Sequence, residues 1–176
     1  MMRFKKTDGF SLLELLTVLG IVGIMAAIAL PAYLSGMPYR RLKSAARDIY
    51  GVMQQVKLSA VRENQNKTLR FGADFYYIDE NGNTAPDAGE RRVDLSKYDD
   101  VQFIGGTAPG DSTRIGAASS TSASSITFTS TGTATFDSSR NAVYIENISS
   151  SSGVFAVAVM DSGAVKIGWY NGNGWE

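Results

Sequence analysis

From Leu15 to Leu34 the chain runs for 20 residues without a charged side chain. Coiled as an α-helix at ~1.5 Å per residue, the stretch is ~30 Å long, the thickness of a bilayer's hydrocarbon core. Arg3, Lys5 and Lys6 precede it against Asp8, and Arg40, Arg41, Lys43 and Arg47 follow it closely. A basic head before an apolar core also describes a cleaved signal peptide. Here the core ends on Pro31-Ala-Tyr-Leu rather than on small residues, so a retained span is expected. With cations on both sides, the positive-inside rule leaves the orientation open. The whole-chain averages, 44% hydrophobic and 19% charged, are those of an ordinary globule and conceal this segregation.

Composition removes several functions. The chain has no Cys, which excludes disulfides, thiolate metal sites, a Cys nucleophile and a lipoprotein anchor. It has no His, the usual imidazole ligand and the usual general base of serine hydrolases. No glycine-rich phosphate loop is present. Lys plus Arg equals Asp plus Glu at 17 each, so no global charge favours nucleic acid. Neither an enzyme nor a cofactor is expected.

Glu14 is the one charge between Asp8 and Arg40. A carboxylate in an apolar helix is costly unless it is paired or near the headgroups. An interfacial position would explain how it is tolerated, but not why Leu12-Leu13 and Leu15-Leu16 flank it. Cleavage after Gly9 would make Phe10 the new N-terminus. Its ammonium would then lie about one helical turn from Glu14, or face Glu14 of a neighbouring chain, and such a pair can be buried among packed helices and set their register.

The run Lys5-Lys6-Thr7-Asp8-Gly9 before Phe10-Ser11-Leu12-Leu13-Glu14-Leu15-Leu16-Thr17-Val18 resembles the class III signal sequence of the type IV pilin superfamily, which includes the pseudopilins of type II secretion. The resemblance implies cleavage between Gly9 and Phe10 by a prepilin peptidase and methylation of the Phe10 amine. It implies a cytoplasmic leader and a periplasmic head, which orients the span. It also implies that Glu14 pairs with the N-terminus of an adjacent subunit, with other pilin subunits and an inner-membrane assembly platform as partners.

Pro31 lacks an N–H and clashes with the preceding turn, so it is expected to kink or open the helix, and Gly20 and Gly23 loosen the same region. The resemblance adds that pilin helices partly melt between the carboxylate and this proline when packed into a filament. Beyond Tyr39 the pattern turns amphipathic. Leu42, Ala45, Ile49, Met53, Val56 and Ala60 recur at helical spacing, and one helix is expected from Ser11 to about Arg62. Six basic residues against one acidic between Arg40 and Arg62 form either a solvated face or a contact with acidic neighbouring subunits or phospholipid headgroups.

Residues 67–176 read as short strands. These are Leu69–Phe71, Phe75–Ile78, Arg91–Leu95, Val101–Ile104, Ser125–Thr129, Ala142–Glu146, Val154–Met160 and Ala164–Tyr170. Turns are expected at Glu80-Asn81-Gly82-Asn83 and Asp161-Ser162-Gly163. Both alternating sets of Val154–Val159 are apolar, as in a central strand covered on two faces. Ser112–Thr133 holds 13 Ser or Thr in 22 residues and is expected to be a surface loop or irregular β segment. Asp79, Asn81, Asn83 and Asp87 lack full calcium-loop spacing and read as turn chemistry. The expected fold is α+β: a leader at 1–9, a membrane and assembly helix at 10–34, an amphipathic helix at 35–66, and a mostly antiparallel head at 67–176 packed on it. Residues 67–176 are expected to fold alone and stay monomeric, and a fragment that also keeps the helical stripe of the core should begin near Tyr39.

The passage from Ser59-Ala60-Val61-Arg62-Glu63-Asn64-Gln65 into Thr68-Leu69-Arg70-Phe71, with Ile126–Ala134 and Val157–Ile167, resembles the GspH/FimT group of minor pseudopilins and minor pilins. The resemblance implies a place at or near a filament tip. Members that bind DNA carry several arginines in the C-terminal hairpin; this chain has only Lys166 there, so DNA is not an expected partner. The alternative is a major pilin, which the hydroxyl-rich segment would suit.

Overall fold

The computed structural model describes residues 10–150 and 153–176, and the chain divides into two units whose boundary falls between Met37 and Pro38. Gly9 lies outside the described residues. The first unit is helix α1, Leu12–Ser35. Ser11 caps it, its hydroxyl accepting the Leu13 N–H at 3.2 Å, and Glu14 stands in the first turn, where a negative charge suits the helix dipole. None of its residues is buried.

α1 passes through Gly20, Gly23 and Pro31, and the helical assignment is interrupted at Gly36. The single expected helix is therefore two. Pro38 supplies the reason. Pro38 has no N–H to donate to the Leu34 carbonyl, which interrupts the hydrogen-bond ladder, and in a first turn that missing N–H is one the helix leaves unpaired anyway. A new helix, α2, Met37–Glu63, begins there.

α2 belongs to the second unit and buries Leu42, Ala45, Ala46, Ile49, Val52, Met53, Val56 and Ala60. The six stripe residues are all in this set. Among the described residues, nine strands form two antiparallel sheets: β1 Lys67–Phe71, β2 Phe75–Asp79, β3 Arg92–Asp94, β4 Val101–Phe103, β5 Ser125–Phe128, β6 Ala134–Phe136, β7 Ala142–Asn147, β8 Val154–Val159 and β9 Val165–Tyr170. One sheet has the order β3-β2-β1-β5-β6 and the other β4-β7-β8-β9. β8 is central, and all six of its residues are buried. Phe155, Val157 and Val159 join α2 in the main core, while Val154, Ala156 and Ala158 face a second cluster with Ile115, Tyr144 and Trp175.

The hydroxyl-rich segment departs from expectation. Ser112, Ile115, Ala117, Ala123, Ile126 and Phe128 are buried. Its hydroxyls satisfy buried backbone: Ser122 Oγ donates to the Ile104 carbonyl and accepts the Tyr144 N–H. Composition concealed the small apolar residues spaced through it. β6, three residues long, is too short for a periodicity and was not expected. At Gly163, φ is +72° and an added Cβ would lie 2.0 Å from the Gly132 carbonyl oxygen, so the β8–β9 turn requires glycine. After β9 the chain doubles back. Trp169 and Glu176 exchange backbone hydrogen bonds at 2.9 and 2.8 Å, and Trp175 is buried with its indole N–H donating to the Pro109 carbonyl at 3.0 Å.

Candidate assembly helix and the head that carries it

Phe10, immediately before the Ser11 cap, is 83% exposed. Glu14 is exposed one turn further along, so an ammonium created at Phe10 by cleavage would stand at the helix N-terminus, within reach of a carboxylate in that turn. Leu12, Leu13, Leu16, Leu19, Ile24 and Ile28 are all more than half exposed. An apolar helix that its own chain leaves uncovered is stable only in lipid or against other apolar helices. α1 is the one helix among the described residues long and apolar enough to cross a membrane.

Two of the basic residues of α2 are tied into the head. Arg41 pairs with Asp99 at 2.9 Å, and Lys57 donates to the Gly163 carbonyl at 2.9 Å. Asp48 Oδ2 accepts from Tyr76 at 2.8 Å and from Lys97 at 2.9 Å. Burial and Asp48 push the Tyr76 phenol upward, so it remains a protonated donor. The sequence signal for this cluster was weak, because its members lie on three separate elements.

Asp79 is buried with Arg70 at 2.6 Å, and its Oδ1 accepts the Gly82 N–H at 2.6 Å. Asn81 and Asn83 both donate to Asp87. These four residues organise a turn, as expected. No group of three or more His, Cys, Asp or Glu arranged to hold a metal occurs among the described residues.

Burial disfavours the charged forms of Asp79 and Asp48. The hydrogen bonds and charges of Arg70 and Lys97, with the Gly82 N–H and the Tyr76 hydroxyl, outweigh it and hold both carboxyls below the usual range. A carboxyl that is more acidic when folded contributes stability that is full above its unfolded value near ~4 and is lost as pH falls through the lower folded value. Thermal midpoints recorded from neutral to acid pH should therefore hold steady and then drop below about pH 4. Asp79→Asn should lower the neutral plateau and flatten the acid limb; an unchanged acid limb would count against this account.

An apolar helix with a carboxylate in its first turn, followed by an amphipathic helix buried in an antiparallel two-sheet head, defines a pilin-like subunit. Residues 45–165 match the family described as Type II transport protein GspH, and residues 4–30 match the prokaryotic N-terminal methylation motif. The chain belongs to the GspH family. It is 38% identical over 88 residues to the pilin-like protein PilA1 of Thermus thermophilus, a match spanning 47% of this chain and about half, 54%, of that protein. Among solved structures, the type IV minor pilin FimU of Pseudomonas aeruginosa superposes with a TM-score of 0.50 at 15% identity, covering 73% of this chain and 88% of that one. That likeness shows the fold alone. The minor pseudopilin EpsH of Vibrio cholerae gives a TM-score of 0.47 at 14% identity, covering 72% of this chain and 95% of that one.

Proposed function

We infer that this chain is a structural subunit of a type II secretion pseudopilus or a type IV pilus, held in the inner membrane by α1 until it joins a filament through the same helix. The observation that carries the reading is α1 itself, with 24 residues, none buried by its own chain, and Glu14 in its first turn. In this reading a prepilin peptidase cuts between Gly9 and Phe10 and the Phe10 amine is methylated. Glu14 receives the N-terminus of a neighbouring subunit, the leader is cytoplasmic and the head periplasmic. Gly20, Gly23 and Pro31 let α1 loosen as it packs. Its partners are other pilin subunits, the peptidase and the assembly platform.

Membership of the GspH family favours a minor subunit, as does the fold shared with a protein described as a minor pilin. The hydroxyl-rich segment keeps nearly all its Ser and Thr side chains out of the core while its apolar residues enter it, so it leaves the major-pilin alternative open. Intact-mass measurement should give a mature chain Phe10–Glu176 with a methylated N-terminus, and mass spectrometry of sheared filaments should find it as a trace component. A chain still beginning at Met1 would overturn the processing, and a dominant filament component would overturn the minor role.

A further inference from the structure

Within the second unit, the end of β1, the C-terminal end of β4, the segment before β5 and the approach to β7 enclose an open cavity of about 430 Å³. Small-ligand sites span about 300–1,000 Å³. One side of the cavity is aromatic, lined by Phe71 and Phe103 with their rings edge-on at 5.5 Å. Gly105 contributes backbone without a side chain. Ser122, also in the wall, is held in place: its hydroxyl donates to the Ile104 carbonyl at 3.1 Å and accepts the Tyr144 N–H at 3.2 Å.

Arg140 is the one lysine or arginine among the lining residues, and it is half-buried. Among the described residues its guanidinium takes part in no ion pair and no side-chain hydrogen bond. The two carboxylates bonded to side chains of the cavity wall are engaged by uncharged donors: Asp137 accepts the Ser124 hydroxyl, and Glu146 accepts the Gln102 amide at 3.3 Å. A charge partly withdrawn from water gains from a partner. The guanidinium is a planar fork whose two parallel N–H groups match the two oxygens of a carboxylate. One arginine balances one carboxylate and leaves a phosphate monoester, of charge about −1.5 to −2, incompletely neutralised.

We propose that this cavity binds a peptide carboxylate set beside an apolar side chain, the Arg140 guanidinium holding the carboxylate and the Phe71 and Phe103 rings taking the apolar group. Two parts of an adjoining protein offer that chemistry: a chain end with an apolar last residue, and an acidic side chain next to an apolar one. The charge fixes one end of the ligand and the rings select the other. The inference stands on the second unit alone and does not depend on how α1 is used. Loss of the guanidinium removes a charge-assisted pair, so affinity should fall about tenfold or more.

The test uses the full chain, labelled with nitrogen-15 in a neutral maltoside detergent and titrated with small peptide acids. N-acetylphenylalanine presents a terminal carboxylate, and N-acetylglutamyl-phenylalaninamide presents a side-chain one. At least one of them should move the amide resonances of Gly105 and Ser122 and the Nε–H resonance of Arg140 along a saturating curve, and the tighter of the two identifies the source. Arg140→Gln should weaken binding about tenfold or more. Arg114→Gln, at an exposed arginine outside the lining, should leave it unchanged. Thermal unfolding midpoints establish that each variant is folded. The Arg140 Nε–H resonance, assigned by its loss in Arg140→Lys, reads the contact in the wild-type chain and so does not rely on the glutamine variant. N-acetylphenylalaninamide, which has the ring without the charge, should not saturate these resonances; if it binds as tightly as the acids, the rings act alone and the proposal falls. Inorganic phosphate binding as tightly as the acids would make the cavity a general anion site and would also overturn it. Resonances that neither acid moves, or that move equally in Arg140→Gln, overturn it outright.

Discussion

Replacing Glu14 with leucine should leave insertion and cleavage intact and lower entry into filaments by two orders of magnitude or more. A charged side chain costs roughly 2.5–3.5 kcal/mol at the centre of a membrane helix and less near its end, where Glu14 stands, so its removal does not hinder insertion. The bond proposed for cleavage, Gly9–Phe10, lies outside the substitution, so the mature N-terminus should still form. The loss falls on assembly. With no carboxylate in the first turn of α1, the Phe10 ammonium of an adjoining subunit is stranded among apolar helices. Breaking a buried pair costs about 3–5 kcal/mol, and each 1.4 kcal/mol is about tenfold in an equilibrium. Glu14→Gln keeps the shape without the charge and should fail in the same way. Membrane abundance, N-terminal mass and filament content, measured side by side, test it. Wild-type incorporation of the leucine variant would reduce Glu14 to an interfacial residue.

The second large effect concerns α2. A fragment of residues 38–176 should unfold cooperatively, and one of residues 67–176 should not fold. α2 supplies Leu42, Ile49, Val52, Met53 and Val56 to the main core, each no more than 3% exposed. Truncating a single large aliphatic core side chain costs about 2–5 kcal/mol, and a domain's whole stability is about 5–15 kcal/mol. Losing five such side chains with the helix exceeds that margin. Near-ultraviolet circular dichroism and hydrogen exchange would separate the outcomes, and equal melting of the two fragments would refute the prediction. The compact unit starts at Pro38, so the head at 67–176 is expected to depend on α2 for its core.

What the sequence revealed and what it concealed follow the range of the interactions involved. The α2 stripe was legible because burial on one helix face repeats at a fixed interval, and β8 because both its faces are apolar. The N-terminal methylation motif, matched at residues 4–30, is contiguous in sequence, so it too could be read. The Asp48–Tyr76–Lys97 cluster joins residues brought together only by folding, and no local pattern announces it. The break at Gly36 carries a weaker local signal than Pro31, since Pro38, which suits the first turn of a helix, stands two residues beyond it. The core contribution of Ser112–Thr133 was hidden by averaging: a segment rich in hydroxyls can still bury Ile115, Ala123, Ile126 and Phe128, provided the hydroxyls have backbone partners.

The doubled-back C-terminus has a consequence for a protein concentrated into polymers. β9 is the last strand of its sheet, and an open strand of six residues would template pairing with the next chain through bare backbone groups. The Glu176 backbone occupies part of that edge, and the Trp175 indole, seated under Pro109, keeps it there. In the filament proposed above, this would steer self-association away from irreversible cross-strand pairing at that edge and leave it to α1, where contacts between subunits could be made and undone.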